Sequence, residues 1–296
     1  MKSAFLIHRV SAGSGNLSRR FLEALLRKHG YEPRYHCLEE GPVDLRTAQS
    51  DLIAIAGGDG TLGKLLPQLR NWGGGEFAIL PSGTANNVAR SMGILDLDDA
   101  LHVDAVTSPF NIGQYFCGGK TKLFCESVGI GALASMIKKS SGPDFGQEKL
   151  RRGREHLAEM IAEMVPFYLQ VETEGGSFDG DFLAVEFLNA GIAGPSLPLS
   201  PKATPTRALF DIYSIRAAQR NAFIAWLRSD LNCPAPGIHK STSYAAFECK
   251  NNHDLRVDDQ IIVPSGAKRR VEIKFDPLHI NTMVPRSKPQ KFRSKY

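Results

Sequence analysis

Gly57-Gly58-Asp59-Gly60-Thr61 follows a short apolar run, Leu52–Ala56, and precedes leucines at Leu62, Leu65, Leu66 and Leu69. A strand, a glycine turn and a helix start in that order suit an anion. Glycines let the backbone approach closely, and free N–H groups at a helix start face phosphate oxygens. Asp59 does not favour bare phosphate there; it makes sense beside a metal ion or beside a hydroxyl to be polarised. The plain alternative is a tight turn with an acid cap. As a turn residue outside any core, Asp59 is expected to matter for chemistry and little for stability. Pro81-Ser82-Gly83-Thr84-Ala85-Asn86-Asn87 repeats the arrangement after the run Phe77–Leu80. Thr84 offers a hydroxyl, and Asn86 and Asn87 offer amides, to a ribose or a phosphate; the alternative is an ordinary helix cap. Ser11-Ala12-Gly13-Ser14-Gly15, after Ala4–Val10, is a third and weaker instance, because most such turns bind nothing.

These turns must be held by alternating strands and helices. Apolar runs at Ala4–Val10, Leu52–Ala56 and Phe77–Leu80 read as strands, with Pro33–Leu38 a further candidate. Leu17, Phe21, Leu22, Leu25 and Leu26 follow a helical period that Gly30 stops. The leucines after Thr61 predict a second helix, which Pro67 should kink or shorten. Ala85–Met92 predicts a third. Strand–helix units joined by glycine turns argue for an open parallel α/β sheet, whose ligands bind outside the carboxyl ends of the strands. After about Val106 the character changes. Phe110–Val128 reads as hairpins turning at Gly118-Gly119, and Leu157, Met160, Ile161, Met164 and Val165 mark one face of a helix. Strands follow at Phe167–Thr173, Phe182–Asn189, Asp211–Arg216, Val257–Val263 and Val271–Phe275. Phe223, Trp226, Leu227 and Leu231 read as the core face of a helix, and Pro195–Pro205 as a loop that either covers a cleft or stiffly connects two elements. The expected division is residues 1–107, 108–285 and a tail, 286–296.

Gly57–Thr61 taken with Pro81–Asn87 resembles the diacylglycerol kinase catalytic-domain family, which includes bacterial lipid kinases and sphingosine kinases. Val128-Gly129-Ile130-Gly131, Asn189-Ala190-Gly191 and Pro201-Lys202-Ala203 resemble further segments of that family, so the resemblance runs along nearly the whole chain. It implies an N-terminal Rossmann-like α/β nucleotide-binding domain, a C-terminal β-sandwich that takes the lipid, and an active site in the cleft between them. It also implies ATP- and Mg²⁺-dependent phosphoryl transfer to a lipid hydroxyl. On this resemblance Ser11, Gly13, Gly57, Gly58, Gly60, Thr61, Ser82, Gly83, Thr84, Asn86 and Asn87 would bind the nucleotide. Asp59 would organise metal and phosphate, and Asp258 would help to place the acceptor.

The chain departs from the family pattern at named positions. His8-Arg9 stand where the family has Asn-Pro, Lys64 where it has Glu, Asn87 where it has Asp, Arg207-Ala208 where it has Asp-Gly, and Asp258-Asp259-Gln260 where it has Asp-Gly-Glu. Together these remove up to four carboxylates from the expected cleft. Lys64 and Arg207 either replace metal charge on the phosphates or are solvated surface side chains. The alternative functions are therefore a nucleotide- or lipid-binding protein without efficient transfer, and a kinase acting on a soluble hydroxyl compound.

Composition excludes several classes. Of the 296 residues, 36 are Lys or Arg and 31 are Asp or Glu, giving a net charge of +5. That excess is too weak to imply nucleic acid. Subtracting the five basic residues of Arg286–Tyr296 leaves 31 against 31, so the tail carries the whole excess. Such a tail suits weak contact with an anionic membrane surface, or it is a frayed end. Lys149, Arg151, Arg152 and Arg154 form a second basic cluster, read as lipid-facing or as a solvated helix start. The five cysteines are irregularly spaced, without a Cys-x-x-Cys pair, which predicts neither a disulfide framework nor a zinc site and favours a reducing compartment. The short N-terminal apolar run predicts no signal peptide, so the expected place is the cytoplasm, peripheral to the inner membrane surface at most. His8 reads as a partly exposed strand-end histidine without a role in chemistry.

Overall fold

The computed structural model describes residues 1–139, 146–250, 253, 255–262 and 268–286. Its first part alternates β1 (Lys2–His8), α1 (Arg19–Lys28), β2 (Tyr31–Cys37), β3 (Leu52–Gly57), α2 (Asp59–Trp72), β4 (Glu76–Pro81) and α3 (Asn87–Ser91). The strands are parallel in the order β2-β1-β3-β4, with Leu6 opposite Ala54 and Ile55 opposite Ile79. All six residues of β3 are buried, as a strand covered on both faces requires. Every parallel strand therefore delivers its carboxyl end to the same edge, and the three glycine turns leave from that edge.

Two helices differ from expectation. Pro67 lies inside α2 without ending it. Its ring is exposed, while Leu62, Leu65, Leu66 and Leu69 are buried against the sheet, and that stripe holds the helix although Pro67 donates no hydrogen bond. Helix α3 has only five residues. It cannot begin earlier because Asn86 stands at φ 51°, in the left-handed region.

The second part contains β5 (Val106–Cys117), β6 (Lys120–Phe124), β7 (Ser127–Gly131), α4 (Ala132–Lys139), α5 (Gly146–Glu163), β8 (Phe167–Thr173) and β9 (Gly176–Leu188). Then come β10 (Ile192–Ala193), β11 (Leu197–Pro198), β12 (Phe210–Arg216), α6 (Arg220–Leu227), β13 (Ile238–Thr242), β14 (Tyr244–Lys250), β15 (Leu255–Val257), β16 (Gln260–Ile262) and β17 (Lys268–Val284). Gly118 and Gly119, at φ 56° and 76°, make the β5–β6 turn, as two-residue hairpins demand. The antiparallel strands surround one core that includes Phe124, Phe187, Phe210 and Phe247. Helices α4, α5 and α6 build a second core on the outside, with Leu157, Ile161, Phe223 and Trp226. Val165 does not join the α5 face: the helix ends at Glu163, and Val165 is 82% exposed. The reason is Pro166, which pushes its predecessor out of helical geometry.

Strand β17 ties the parts together. Val271–Phe275 pair with β14 and β5, and Asn281 and Thr282 then run parallel to β4 opposite Glu76 and Phe77. The parallel and antiparallel regions thus form one continuous sheet. Among the described residues, no helix is long and apolar enough to cross a membrane. Residues 287–296 of the basic tail lie outside the described residues, as does Val263 at the end of the strand expected over Val257–Val263.

Candidate active site

The three glycine turns meet backbone to backbone. A Cβ on Gly83 would lie 2.5 Å from the Gly58 Cα, and one on Gly58 would lie 3.0 Å from the Gly83 Cα. Gly13, at φ 61°, leaves no room for a Cβ against the Ser82 carbonyl. Gly57 is covered by the Thr61 side chain, which is buried. Gly58 caps α2: its carbonyl accepts from the Thr61 and Leu62 N–H groups at 3.0 and 3.1 Å, which leaves the Asp59 and Gly60 N–H groups without a partner within the helix. These turns open on a cavity of about 1120 Å³, lined among others by Gly13, Gly58, Gly60, Thr61, Gly83 and Thr84. The Ser82 hydroxyl is buried without a partner among the described residues.

The asparagines are committed within the protein. Asn86 Oδ1 accepts from the Gly83 N–H at 2.9 Å, and its Nδ2 donates to the Gly83 carbonyl at 2.9 Å, so it shapes the turn. Asn87 is buried; its Nδ2 donates to Glu126 at 3.2 Å and to the Gly194 carbonyl at 3.0 Å. Ser11 is also engaged: its N–H and hydroxyl both donate to Glu39, at 3.0 and 2.7 Å. His8 is buried with Nδ1 3.1 Å from the Tyr35 hydroxyl, and burial lowers its pKa. That makes it a neutral core histidine.

Of the four carboxylates that line the cavity, three lie close enough to act on one another: Asp59, Asp258 and Glu126. Asp59 accepts from the Asn87 and Val88 N–H groups, both at 2.9 Å, and so caps α3. Asp258 stands at φ 51° in the turn between β15 and β16 and accepts from the N–H groups of Cys125, Glu126 and Ser127 at 3.1, 2.8 and 3.2 Å. Glu126, just before β7, is the third, and sequence reasoning missed it. Burial, reinforced by the Glu126 charge, pushes Asp59 up to about 7 and Asp258 up to about 6. Asp259 extends over Gly60, where a Cβ would lie 2.9 Å from its Oδ2. Among the described residues no three His, Cys, Asp or Glu side chains form a ready metal cage. Mg²⁺ in phosphoryl-transfer sites is usually held by one or two carboxylates and the substrate's own phosphates. Asp59 and its neighbours offer that kind of donor set.

Arg256 holds this cluster and was also missed. It is buried, with Nη1 3.4 Å from Glu126 and 2.8 Å from the Asp258 carbonyl; Nη2 lies 2.9 Å from Glu186 and 2.7 Å from Ser127 Oγ. Gly129 has no side chain because Glu186 occupies that space. Burial raises Glu186 to about 7 although Arg256 opposes the shift. The readable signal was a lone charge inside an apolar stretch: Glu126 in Leu123–Ala134 and Glu186 in Phe182–Leu188.

Removing Arg256 should leave these acids uncompensated. Arg256→Met is expected to cost about 3–5 kcal/mol at pH 8. Asp258 and Glu186 have raised folded-state pKa values, so their ionisation opposes folding as pH rises from about 4 towards 7. The loss should therefore be smaller at pH 5, where both are largely protonated. Urea unfolding at the two pH values measures it, and equal losses would contradict this account.

The departures from the family pattern separate in space. Lys64 lines the cavity. Arg207 instead donates to the Lys202 carbonyl at 2.6 Å, and Gln260 accepts from Lys122 at 3.1 Å. Of the basic cluster on α5, Lys149 and Arg152 reach the cavity wall, and Arg151 and Arg152 pair with Glu148.

The chain is similar to known proteins in sequence and in fold. Residues 3–114 match the family model of the diacylglycerol kinase catalytic domain. A diacylglycerol kinase of Bacillus subtilis (strain 168) is 25% identical over 245 residues, covering 76% of this chain and 77% of that protein. A Pseudomonas aeruginosa protein named "probable lipid kinase YegS-like" is 30% identical over 170 residues, covering 54% of this chain and 53% of its own length. The crystal structure of a diacylglycerol kinase from Bacillus anthracis str. Sterne superposes with a TM-score of 0.64 over 96% of this chain and 97% of that one, at 15% identity. Residues 3–114 are thus similar to the diacylglycerol kinase catalytic domain, and the whole chain shares its fold with the Bacillus anthracis structure.

Proposed function

We propose that the protein is an ATP- and Mg²⁺-dependent lipid kinase that moves the γ-phosphoryl group to a hydroxyl of a diacylglycerol- or sphingoid-like lipid. The observation that carries this reading is the convergence of the glycine turns with Asp59, Glu126 and Asp258 on one cavity. In such a transfer one P–O bond of ATP breaks, one forms to the lipid oxygen, and the hydroxyl proton must leave. The helix-start amides and bare glycine edges receive the phosphates. The unpartnered Ser82 hydroxyl fits a polar ligand at the same edge. Asp59 holds the cation, which when bound supplies positive charge at the β- and γ-phosphates. Glu126 and Asp258 orient the acceptor hydroxyl, and Asp258, raised to about 6, suits the task of taking its proton. Residues 1–107 form the nucleotide side. Residues 108–285 form the acceptor side, where Met136, Ile137, Leu150 and Pro195 give the cavity an apolar wall for acyl chains.

The test is transfer of labelled phosphate from ATP to a panel of diacylglycerol, sphingoid and related lipids with Mg²⁺. Product on at least one lipid is expected. Tight nucleotide binding without turnover on any lipid would favour a binding protein instead, and product only with soluble alcohols would move the acceptor class.

The acids also set a pH dependence. Only ionised Asp59 and Asp258 can hold a cation or take a proton, and both titrate near 6 to 7. Transfer should rise from about pH 6 to pH 8 and then level off. Raising Mg²⁺ should move the midpoint down, because the cation favours the ionised acids. A rate profile at limiting and saturating Mg²⁺ measures both effects.

A further inference from the structure

Arg9 follows β1 directly, and its N–H donates to the Ala56 carbonyl at 2.9 Å. It therefore stands beside Gly57 at the start of the phosphate turn, and its side chain lines the cavity. Its Nε donates to Ser11 Oγ at 3.0 Å and lies 3.3 Å from Glu39 Oε1. Neither terminal nitrogen makes a hydrogen bond among the described residues. Glu39 is firmly placed. Its carboxylate accepts from the Val10 N–H at 3.1 Å, from the Ser11 N–H at 3.0 Å, from Ser11 Oγ at 2.7 Å and from Cys37 Sγ at 3.4 Å.

Two consequences follow. The β1–α1 turn is the third of the glycine turns, yet its Val10 and Ser11 amides already serve an anion of the protein's own. A phosphate could reach them only by displacing Glu39. What the turn presents to the cavity is the far end of a guanidinium, anchored at Nε and unengaged at both Nη atoms. That fork matches two oxygens of one phosphate.

We propose that Arg9 binds the polyphosphate of the nucleotide through its terminal nitrogens, with Glu39 as the positioning residue that fixes the guanidinium beside the Gly57–Thr61 turn. This rests on the ATP reading of the cavity. It gives the turn after β1 a role different from direct amide contact by Ser11. Arginine here, where the resembled family has proline, places a fixed positive charge on the wall shared with Lys64.

Calorimetric titration of the full chain with the β,γ-imido analogue of ATP and Mg²⁺, at low and moderate salt, tests it. Arg9→Met should weaken binding about 10- to 100-fold, the size of one or two charge-assisted hydrogen bonds. It should also flatten the salt dependence, because one charge contact is gone. Arg9→Lys should restore only part of the affinity, since an ammonium cannot make the fork. Glu39→Gln should fall between wild type and Arg9→Met. A purely structural role would lower the melting temperature and leave the salt dependence unchanged, which would overturn the assignment. So would an Arg9→Met protein that binds like wild type. If wild type itself fails to bind the analogue, the ATP reading falls and takes this inference with it. Binding by wild type with indifference to Arg9 removes the inference alone.

Discussion

Asp59→Ala is expected to reduce phosphoryl transfer by about 10³-fold or more, the combined weight of a lost cation ligand and a disturbed acceptor site. The carboxylate is also structural, which a turn residue viewed in sequence alone does not suggest. It accepts from two backbone N–H groups at the start of α3, and leaving both without an acceptor costs about 1–3 kcal/mol each where they stay dry. Relief of the repulsion from Glu126 offsets part of that cost, because burial and Glu126 have raised the Asp59 pKa to about 7. Asp59→Asn separates the two roles. It keeps one acceptor for α3 and removes the charge, so the melting temperature should recover more than the rate does. Retained transfer in a correctly folded Asp59→Asn protein would show that Asp59 is a cap and nothing more. Denaturant melts beside labelled-ATP assays supply both measurements.

Gly58→Val is expected to abolish measurable nucleotide binding, and Gly83→Ala to weaken it about 10- to 100-fold through an overpacking strain of about 1–3 kcal/mol. Positive φ is not the cause: Gly58 has φ −105°, which valine can adopt. The cause is the meeting of two backbones. Even a methyl on Gly83 would lie 2.5 Å from the Gly58 Cα and 2.8 Å from Asn86 Oδ1, so the turns must part. Gly73→Ala is the control. Gly73 has φ 69° and nothing within 4 Å of a Cβ, so alanine there should cost only about 1 kcal/mol of conformational strain and leave nucleotide affinity unchanged. Calorimetric titration of the three variants tests this, and equal affinities in Gly83→Ala and wild type would move the phosphate site elsewhere.

The turns were legible because each is local. A buried strand, a glycine and a helix start lie within about ten residues at Leu52–Leu62 and again at Phe77–Val88. Parallel pairing then sends both to one edge of the sheet. The same locality misled where a side chain's partner is remote. Asn87 looks in sequence like a free amide beside a phosphate loop, yet it bonds to Glu126 and Gly194. The Asn86 amide turns back onto Gly83. Val165 continues a helical apolar face on paper, but Pro166 ends the helix first.

By itself, the sequence determined the α/β character of the first hundred residues, the glycine edges at Gly13, Gly58 and Gly83, and the place of Asp59 inside one of those turns. Those depend on short-range periodicity and backbone freedom. Only the tertiary structure decided how the acids are partnered. Glu126 comes from the lead-in to β7, Arg256 from β15 and Glu186 from β9, and no spacing along the chain relates them. Glu126 adds a carboxylate to the cavity from outside the glycine turns. Charge in a cleft is set by which side chains share the same desolvated volume, and strand pairing, with β17 returning to lie beside β4, fixes that volume.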